Sequence, residues 1–241
     1  MEHIAATVRG FYQNDPAAVY ENGVYLSCAD GAVQCECLRD VMEVREARDI
    51  FAERLDRISD RLAFVQAEYR DGPDYRTEAI GLIRCGETWQ VICVLSSHPQ
   101  HRFEVLYERA ACKQLNNLHN IEEILLRYCE DVYQMDAEDC LQLFWPQTRM
   151  YHPNEDQTFS DVPIQVLHSR WDNMPDPGSF GAENFSRIYH VELLDDTTAL
   201  AKIGCAKLDN FFKDYLFLMR IQNRWMIVNK MTHVLHTGRR V

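Results

Sequence analysis

Three apolar runs separated by short polar turns close each half of the chain. In the first half they are LAFVQAEYR, EAIGLIRC and WQVICVLS, which lie between residues 62 and 96. In the second half they are FSRIYHVELL, TALAKIGCAKL and DYLFLMRIQNRWMIVNKMTH, between residues 185 and 233. Apolar runs bounded by turn residues are typical of β-strands. We therefore predict that each half ends in a meander of antiparallel strands.

Helical patterns precede these strands in the first half. Residues 4–13 and 41–58 carry apolar side chains at helical spacing. Asp15-Pro16 supplies an N-cap followed by proline at the first helical position, which predicts a short helix through Val19-Tyr20. A hairpin is predicted around Asp30-Gly31.

The second half shows the same order of elements. Helices are predicted at residues 121–134, at 137–145 and at 163–174, with Asn120 and Asp136 as N-caps of the first two. Strands are predicted around residues 149–152 and directly after the polar stretch NEDQ. Each half is therefore expected to combine helices with a meander, which is an α+β arrangement.

Short phrases recur between the two halves. The phrase Tyr12-Gln13-x-Asp15 returns as Tyr133-Gln134-x-Asp136, and Trp89 returns as Trp225. Leu and Arg are also identical at 82/218 and 84/220, when residues 78–97 are set against 214–233. The shared order of elements predicts a tandem duplication. We expect a first domain at 1–100, a helical connector at 101–119 and a second domain at 120–241.

Composition and charge narrow the classes of function. The formal net charge of the 241-residue chain is −12, which argues against a general nucleic-acid or anionic-membrane partner, because phosphate binding needs clustered Lys and Arg. The sequence shows neither a signal peptide nor a membrane-spanning run, and its nine scattered cysteines favour reduced thiols in a cytoplasmic protein. Cys35 and Cys37 form no metal signature without a second pair, so no metal or cofactor is expected.

Several phrases of the second half carry a resemblance to a known family: Ile121-Glu122, Tyr128, Asp136, Leu143-Phe144-x-Pro146, Arg149-Met150-Tyr151, Asp214-Tyr215-Leu216 and residues 224–230. In this order they resemble the nuclear transport factor 2-like (cystatin-like α+β) superfamily, and most closely the lumazine-binding branch near the SnoaL-like proteins. Trp145 departs from the pattern, since such sequences often place His before this Pro. The first half matches only loosely and is interpreted as a degenerate copy.

The resemblance implies two cone-shaped, curved antiparallel sheets, each covered by helices. It further implies that the convex faces of the two sheets pack together as an intrachain pseudo-dimer. Whether two such chains also form a homodimer is left open. Both faces of the last two strands are apolar, so neither face can be fully exposed to solvent. We assign the face that contains Trp225 and Tyr215 to the interior, because it carries more aromatic area. The face of Leu216, Leu218 and Val228 is then expected to pack on another sheet, and Asp214 to lie on that face or at the sheet edge.

An apolar cone with a few polar groups is the usual form of a small-molecule site. The first copy is predicted to place no carboxylate or imidazole in its interior, so the second copy is expected to carry the function. Either strand face could be reversed by an error of one residue in register. The residues predicted to contact the ligand are Tyr151, Tyr189, Tyr215, Phe217, Trp225, Asn229 and His233.

Three functions remain open from the sequence. The favoured hypothesis is a module that binds an unknown small, largely apolar or aromatic molecule in the second cone, with the first copy as scaffold. The resemblance also allows a small lyase, isomerase or cyclase, in which His190 or His152 abstracts a proton and Tyr151 or Tyr215 stabilises the developing charge. The third hypothesis is an interaction protein without a pocket.

Overall fold

The computed structural model describes residues 2–29, 32–44, 46–48, 50–72, 74–97, 109–172, 174–207 and 210–236. The chain divides into two compact units. Unit 1 contains residues 1–106 and 153–159, and unit 2 contains residues 107–152 and 160–241. None of the described helices combines the length and the apolar character needed to cross a membrane.

Unit 1 consists of two helices and a six-stranded sheet. Helix α1 (Glu2–Tyr12) is followed by a 3-10 turn at Pro16–Ala18, and α2 spans Leu38–Val44. The strands are β1 (Val19–Ala29), β2 (Ala32–Cys37), β3 (Ile50–Arg57), β4 (Leu62–Asp71), β5 (Asp74–Cys85) and β6 (Thr88–Ser96). Their order in the sheet is β2-β1-β6-β5-β4-β3.

Unit 2 repeats this plan, with a first helix of 26 residues where that of unit 1 has 11. Helix α3 (Arg109–Gln134) is followed by α4 (Ala137–Leu141), and α5 (Val166–Trp171) lies between the second and third strands of the unit. The strands are β7 (Phe144–Pro153), β8 (Phe159–Pro163), β9 (Ser186–Leu193), β10 (Thr198–Lys207), β11 (Asn210–Ile221) and β12 (Arg224–His236). Their order, β8-β7-β12-β11-β10-β9, matches the order in unit 1 strand for strand.

The predicted α+β class with two helix-bearing sheets is confirmed, and one feature of the sheets differs. Each sheet contains one parallel pair, β1 with β6 and β7 with β12, so the sheets are mixed instead of purely antiparallel. The last strand of each meander returns to the first strand of its own unit and runs in the same direction. A reading of consecutive strands cannot detect this closing pair, because its partners are far apart in sequence.

Two helical predictions in unit 1 are wrong. Residues 19–20 belong to β1, because the helix that Asp15 caps ends after one 3-10 turn at Ala18. The stretch 41–58 contains only the end of α2, and β3 begins at Ile50. Charged residues throughout this stretch mimic a solvated helix, while β3 pairs with β4 as an edge strand. Helix α3 begins at Arg109, inside the predicted connector, whose residues 101–108 lie outside the described residues.

A β-bulge occurs at the same place in both meanders. In unit 2, Phe217 pairs with Asn229 and Leu218 pairs with Ile227, so Val228 is the extra residue. In unit 1 the corresponding pairs are Gly81 with Cys93 and Leu82 with Val91, which leaves Ile92 as the extra residue. A bulge reverses the side on which the following residues of its strand point. This reversal decides which side chains of β12 meet the helices.

Candidate functional site

Unit 2 contains a cavity of about 340 Å³ between its helices and one face of its sheet. The volume lies at the lower end of the range of about 300–1,000 Å³ that is common for small-molecule sites. Most of the lining side chains are apolar. The lining residues are Tyr128, Val132, Met150, Tyr151, His152, Val162, Leu167, Arg170, Trp171, Met174, Cys205, Lys207, Asn210, Phe212, Asp214, Lys230, Thr232 and Val234.

A buried ionic cluster forms part of the cavity wall. Asp214 Oδ2 accepts a hydrogen bond of 2.8 Å from the Tyr128 hydroxyl and lies 3.0 Å from Lys230 Nζ. Asp214 Oδ1 accepts a hydrogen bond of 2.7 Å from the Thr232 hydroxyl, and Lys230 also donates to the Tyr128 oxygen. The Asp214 and Lys230 side chains are 2% and 9% exposed. The carboxylate is therefore fully engaged by protein donors.

The backbone explains why these groups meet. Asp214 and Thr232 are direct cross-strand partners, and Lys230 pairs with Leu216, two residues along β11. Diagonal neighbours at this spacing are within reach of a long side chain. The bulge at Val228 turns Lys230 and Thr232 toward α3, which supplies Tyr128 from one of its buried positions. Burial and the negative charge of Asp214 raise the pKa of Tyr128 well above its ordinary value, so its hydroxyl stays protonated.

Lys207 lies at another part of the same cavity, at the end of β10. The residue is 8% exposed, and its Nζ lies 4.9 Å from the centroid of the Trp171 ring. Burial, together with the smaller effect of the charge of Lys230, lowers the pKa of Lys207 to about 8. Within the part of the chain that the structure describes, Lys207 has no ion-pair or hydrogen-bond partner for its ammonium group. Among the described residues, it is a buried cation without a matched anion.

His152 and Tyr151, at the end of β7, also line the cavity. Burial lowers the pKa of His152, and the nearby charges of Arg170 and Lys230 act in the same direction, whereas Asp214 opposes them. The imidazole is therefore neutral at pH 7 and able to accept a proton. Among the described residues, no group of three or more His, Cys, Asp or Glu side chains is placed to hold a metal ion.

Unit 1 carries a buried carboxylate at the position that corresponds to Asp214. Glu78 is fully buried and accepts hydrogen bonds from the hydroxyls of Tyr12, Tyr25 and Tyr69, at 2.7, 2.8 and 2.9 Å. The prediction of a first interior without a carboxylate is therefore wrong. Its cause is the face assignment, which placed Glu78 and Asp214 away from the helices. In unit 1 the three tyrosine rings occupy the space around the carboxylate.

Of the seven residues predicted to contact a ligand, Tyr151 lines the cavity, and the others do not appear among its lining residues. Tyr215, Phe217 and Asn229 are buried, and His233 is half-buried; they lie on the sheet face opposite Asp214 and Lys230. Trp225 is buried on the helix-covered face, in the core of the unit, and its Nε1 lies 3.4 Å from Asn117 Oδ1.

The two remaining candidates lie on β9. Tyr189 is 42% exposed and contacts the guanidinium of Arg187. His190, predicted as a base, is exposed and lies 3.2 Å from Glu192 Oε2. Neither residue is among those that line the cavity.

The face assignment failed for two physical reasons. Strict alternation along β12 groups Trp225 with Asn229 and His233, but the bulge at Val228 separates them. Along β11, the greater aromatic area of Tyr215 and Phe217 favoured that face for the interior. The helices instead pack on Leu216 and Leu218, which share a core cluster with residues of α3. These leucines were expected to pack on another sheet.

Tyr128, Lys207, Asp214 and Lys230 were missed as site residues. One signal was available, since Glu78 and Asp214 occupy corresponding positions within apolar strands. A charged residue at the same interior position of two related strands is rarely tolerated without partners.

The geometry defines a two-unit α+β protein whose second unit encloses a ligand-sized, largely apolar cavity with a polar wall. Residues 116–233 match the family described as putative lumazine-binding. The resemblance predicted for the second half is therefore confirmed.

Solved structures of NTF2-like proteins are similar to about half of the chain. One of unknown function from Shewanella baltica is 25% identical, with a TM-score of 0.45, and the match covers 50% of this chain and 95% of that one. Another from Silicibacter pomeroyi is 13% identical, with a TM-score of 0.45 and coverages of 51% and 98%. A third, with a cystatin-like fold, from Novosphingobium aromaticivorans, is 14% identical, with a TM-score of 0.43 and coverages of 55% and 92%. No curated protein matches the chain.

Proposed function

We propose that the protein binds a small, largely apolar molecule in the cavity of unit 2, and that unit 1 serves as scaffold. The observation that carries this proposal is the cavity itself, about 340 Å³ in volume and walled mainly by apolar side chains of the helices and the sheet. A few polar groups converge on it, which is the usual composition of a small-molecule site. The match of residues 116–233 to a family described as putative lumazine-binding supports a ligand-binding role.

The test combines native mass spectrometry with a variant that fills the cavity. Val162 is half-buried and lines the cavity, so Val162→Trp places an indole in the space a ligand would use. Leu235→Trp adds the same side chain at an exposed position that is not among the lining residues. We expect a co-purifying small molecule with the wild-type and Leu235→Trp proteins, and its loss in Val162→Trp.

The contrary result is also specific. If the wild-type protein carries no bound mass, and no aromatic or polyketide-like compound raises its melting temperature, the cavity does not bind such ligands. The proposal is then wrong. A ligand retained equally by Val162→Trp would place the binding site elsewhere.

A second candidate function, proton transfer next to a carbonyl group, is favoured by one observation. His152 lines the cavity, and burial lowers its pKa, so a neutral imidazole faces the site. A base of this kind abstracts a proton while a hydroxyl donor stabilises the charge that develops. Under this proposal His152 is the base and His190 has no catalytic role.

Deuterium exchange separates the two functions. Aromatic ketones with an enolisable position are incubated with the protein in D₂O, and the incorporation of deuterium is followed by NMR. An enzyme accelerates the exchange, and His152→Gln lowers that rate by about 10²-fold or more. Exchange at the same rate with and without the protein leaves binding as the function.

A further inference from the structure

The cavity of unit 2 has an excess of positive charge. Its described lining residues include three cationic side chains, Arg170, Lys207 and Lys230, and one carboxylate, Asp214. Lys230 and Asp214 neutralise each other at 3.0 Å. Arg170 and Lys207 remain, in a chain whose formal net charge is −12. A cationic cavity in an acidic protein is a local feature that the composition does not predict.

Lys207 is the more informative of the two remaining cations, because Arg170 is exposed. A buried ammonium group without a counter-charge is destabilising, and buried charges in proteins are normally paired. The aromatic ring of Trp171 gives Lys207 partial compensation at 4.9 Å. An anionic group on a ligand would complete the compensation of the Lys207 charge.

Building on the proposed function, we infer that the ligand is an aromatic or polycyclic acid whose anionic group binds Lys207, with its apolar body among the lining residues of α3, β7 and α5. Trp171 then contacts both parts of the ligand. The acidic group lies beside Lys207, away from the Asp214 cluster, whose own carboxylate would repel it. Carboxylates, phenolates and enolates share the required chemistry, and the experiment below uses a carboxylate.

The charge of Lys207 depends on groups from every element that surrounds it. Its burial and the positive charge of Lys230 favour the neutral amine, and the thiol of Cys140 opposes them weakly. The other titratable or charged residues that line the cavity are Tyr128 on α3, Tyr151 and His152 on β7, Arg170 on α5, Cys205 on β10 and Asp214 on β11. At pH 7, Lys207 is protonated and His152 is neutral. The anionic group of the ligand therefore contacts the positive charge of Lys207.

The test compares two probes that differ only in charge, 2-naphthoate and its uncharged amide, 2-naphthamide. Isothermal titration calorimetry is performed on the wild-type protein, on Lys207→Met and on Lys213→Met. Methionine keeps the length of the lysine side chain and removes a buried charge, so Lys207→Met is expected to fold. Lys213 is half-buried and is not among the residues that line the cavity, which makes it the matched control.

We expect naphthoate to bind the wild-type protein at least about tenfold more tightly than naphthamide at pH 7, since a hydrogen bond to a charged group is worth about a factor of ten or more. Lys207→Met should weaken naphthoate binding by about tenfold and leave naphthamide within about twofold, and Lys213→Met should change neither. The preference for naphthoate should decline as the pH rises through about 8 and Lys207 loses its proton.

Two negative outcomes have different meanings. If naphthamide binds as tightly as naphthoate, or Lys207→Met leaves the preference intact, the cavity binds ligands but the anionic class is wrong. If neither probe binds the wild-type protein, the inference of an aromatic acid is wrong, and native mass spectrometry decides separately whether the cavity binds another small molecule. Equal loss of naphthoate in Lys213→Met would point to general charge attraction instead of a contact with Lys207.

Discussion

Replacing Lys207 by methionine is expected to stabilise the protein, although it removes a side chain from a cavity wall. The ammonium group is buried, has no acidic partner among the described residues, and its pKa is lowered to about 8 by burial and by Lys230. An unfolded lysine has a pKa of about 10.4. The folded protein therefore holds this proton less tightly than the unfolded chain does.

The size of the effect follows from that difference. A gap of between two and three pKa units corresponds to about 3 kcal/mol, at about 1.4 kcal/mol for each unit. Below pH 8 both states carry the proton and the full cost is present. Between about pH 8 and 10.5 the unfolded chain binds more protons than the folded protein, so the cost disappears as the pH rises. Allowing for the lost contact with Trp171, we expect Lys207→Met to gain about 2 kcal/mol in the free energy of unfolding at pH 7.

The assay is urea unfolding at pH 7, 8, 9 and 10, followed by far-ultraviolet circular dichroism. The advantage of Lys207→Met should shrink steadily above pH 8 and be nearly absent at pH 10. Lys213→Met, on the same sheet, should lie within about 0.5 kcal/mol of the wild type at every pH. A Lys207→Met protein that is less stable than the wild type at pH 7, or whose advantage does not change with pH, would refute the description of Lys207 as an unpaired buried cation.

Three further predictions concern the other buried charges. Lys230→Met should lower the free energy of unfolding by about 3–5 kcal/mol, because Asp214 loses its cation. The double variant Asp214→Asn/Lys230→Met should recover at least half of this loss in urea unfolding. A double variant as unstable as Lys230→Met would contradict the pairing. Glu78→Gln should lower the free energy of unfolding by about 1–3 kcal/mol, because an amide offers one accepting oxygen to three tyrosine hydroxyls. Thermal unfolding measures this loss, and an unchanged melting temperature would argue against the hydrogen-bonded cluster around Glu78. Burial raises the pKa of Asp131 to about 6, so the wild type loses stability as the pH rises from about 4 to 6. Asp131→Asn should therefore gain about 1 kcal/mol in the free energy of unfolding relative to the wild type at pH 8, after allowance for solvent and Arg127. If the two proteins are equally stable at pH 5 and at pH 8, this prediction is contradicted.

The strands of both meanders could be predicted from the sequence, because their apolar runs are long and end at turn residues. Helix α4 was predictable for a related reason, since it follows Asp136, whose side chain caps it. The apolar stripe of residues 121–134 was also recognised as helical, but the predicted N-cap Asn120 is wrong, because α3 begins at Arg109 and Asn120 lies inside it. The stretch 41–58 was not predictable in this way. Its apolar residues fit a helical period, but β4 offers an unpaired edge to residues 50–57, and pairing across the sheet outweighs local preference.

The site was harder to predict than the fold, because it depends on a single extra residue. Alternation fixes which residues of a strand share a face only as long as the pairing continues without interruption. The bulge at Val228 breaks that continuity in the middle of β12, so Trp225 and Lys230 share a face although five positions separate them. A bulge in an apolar strand leaves no mark in composition or periodicity. The error therefore reached Asn229 and His233 on β12, whereas Tyr215 and Phe217 on β11 were misplaced because of their aromatic area.

The repeat contained the information that could have corrected the error. Glu78 and Asp214 hold corresponding places, and both are buried with hydroxyl donors around them. Unit 1 meets its carboxylate with three tyrosines, whose hydroxyls all donate to it. Unit 2 meets its carboxylate with one tyrosine, a threonine and Lys230, and space remains beside them. The two units share one strand order, but the corresponding buried acid has different partners: three hydroxyls in unit 1, and two hydroxyls with an ammonium group at the cavity wall in unit 2. That contrast supports unit 2 as the half that carries the function.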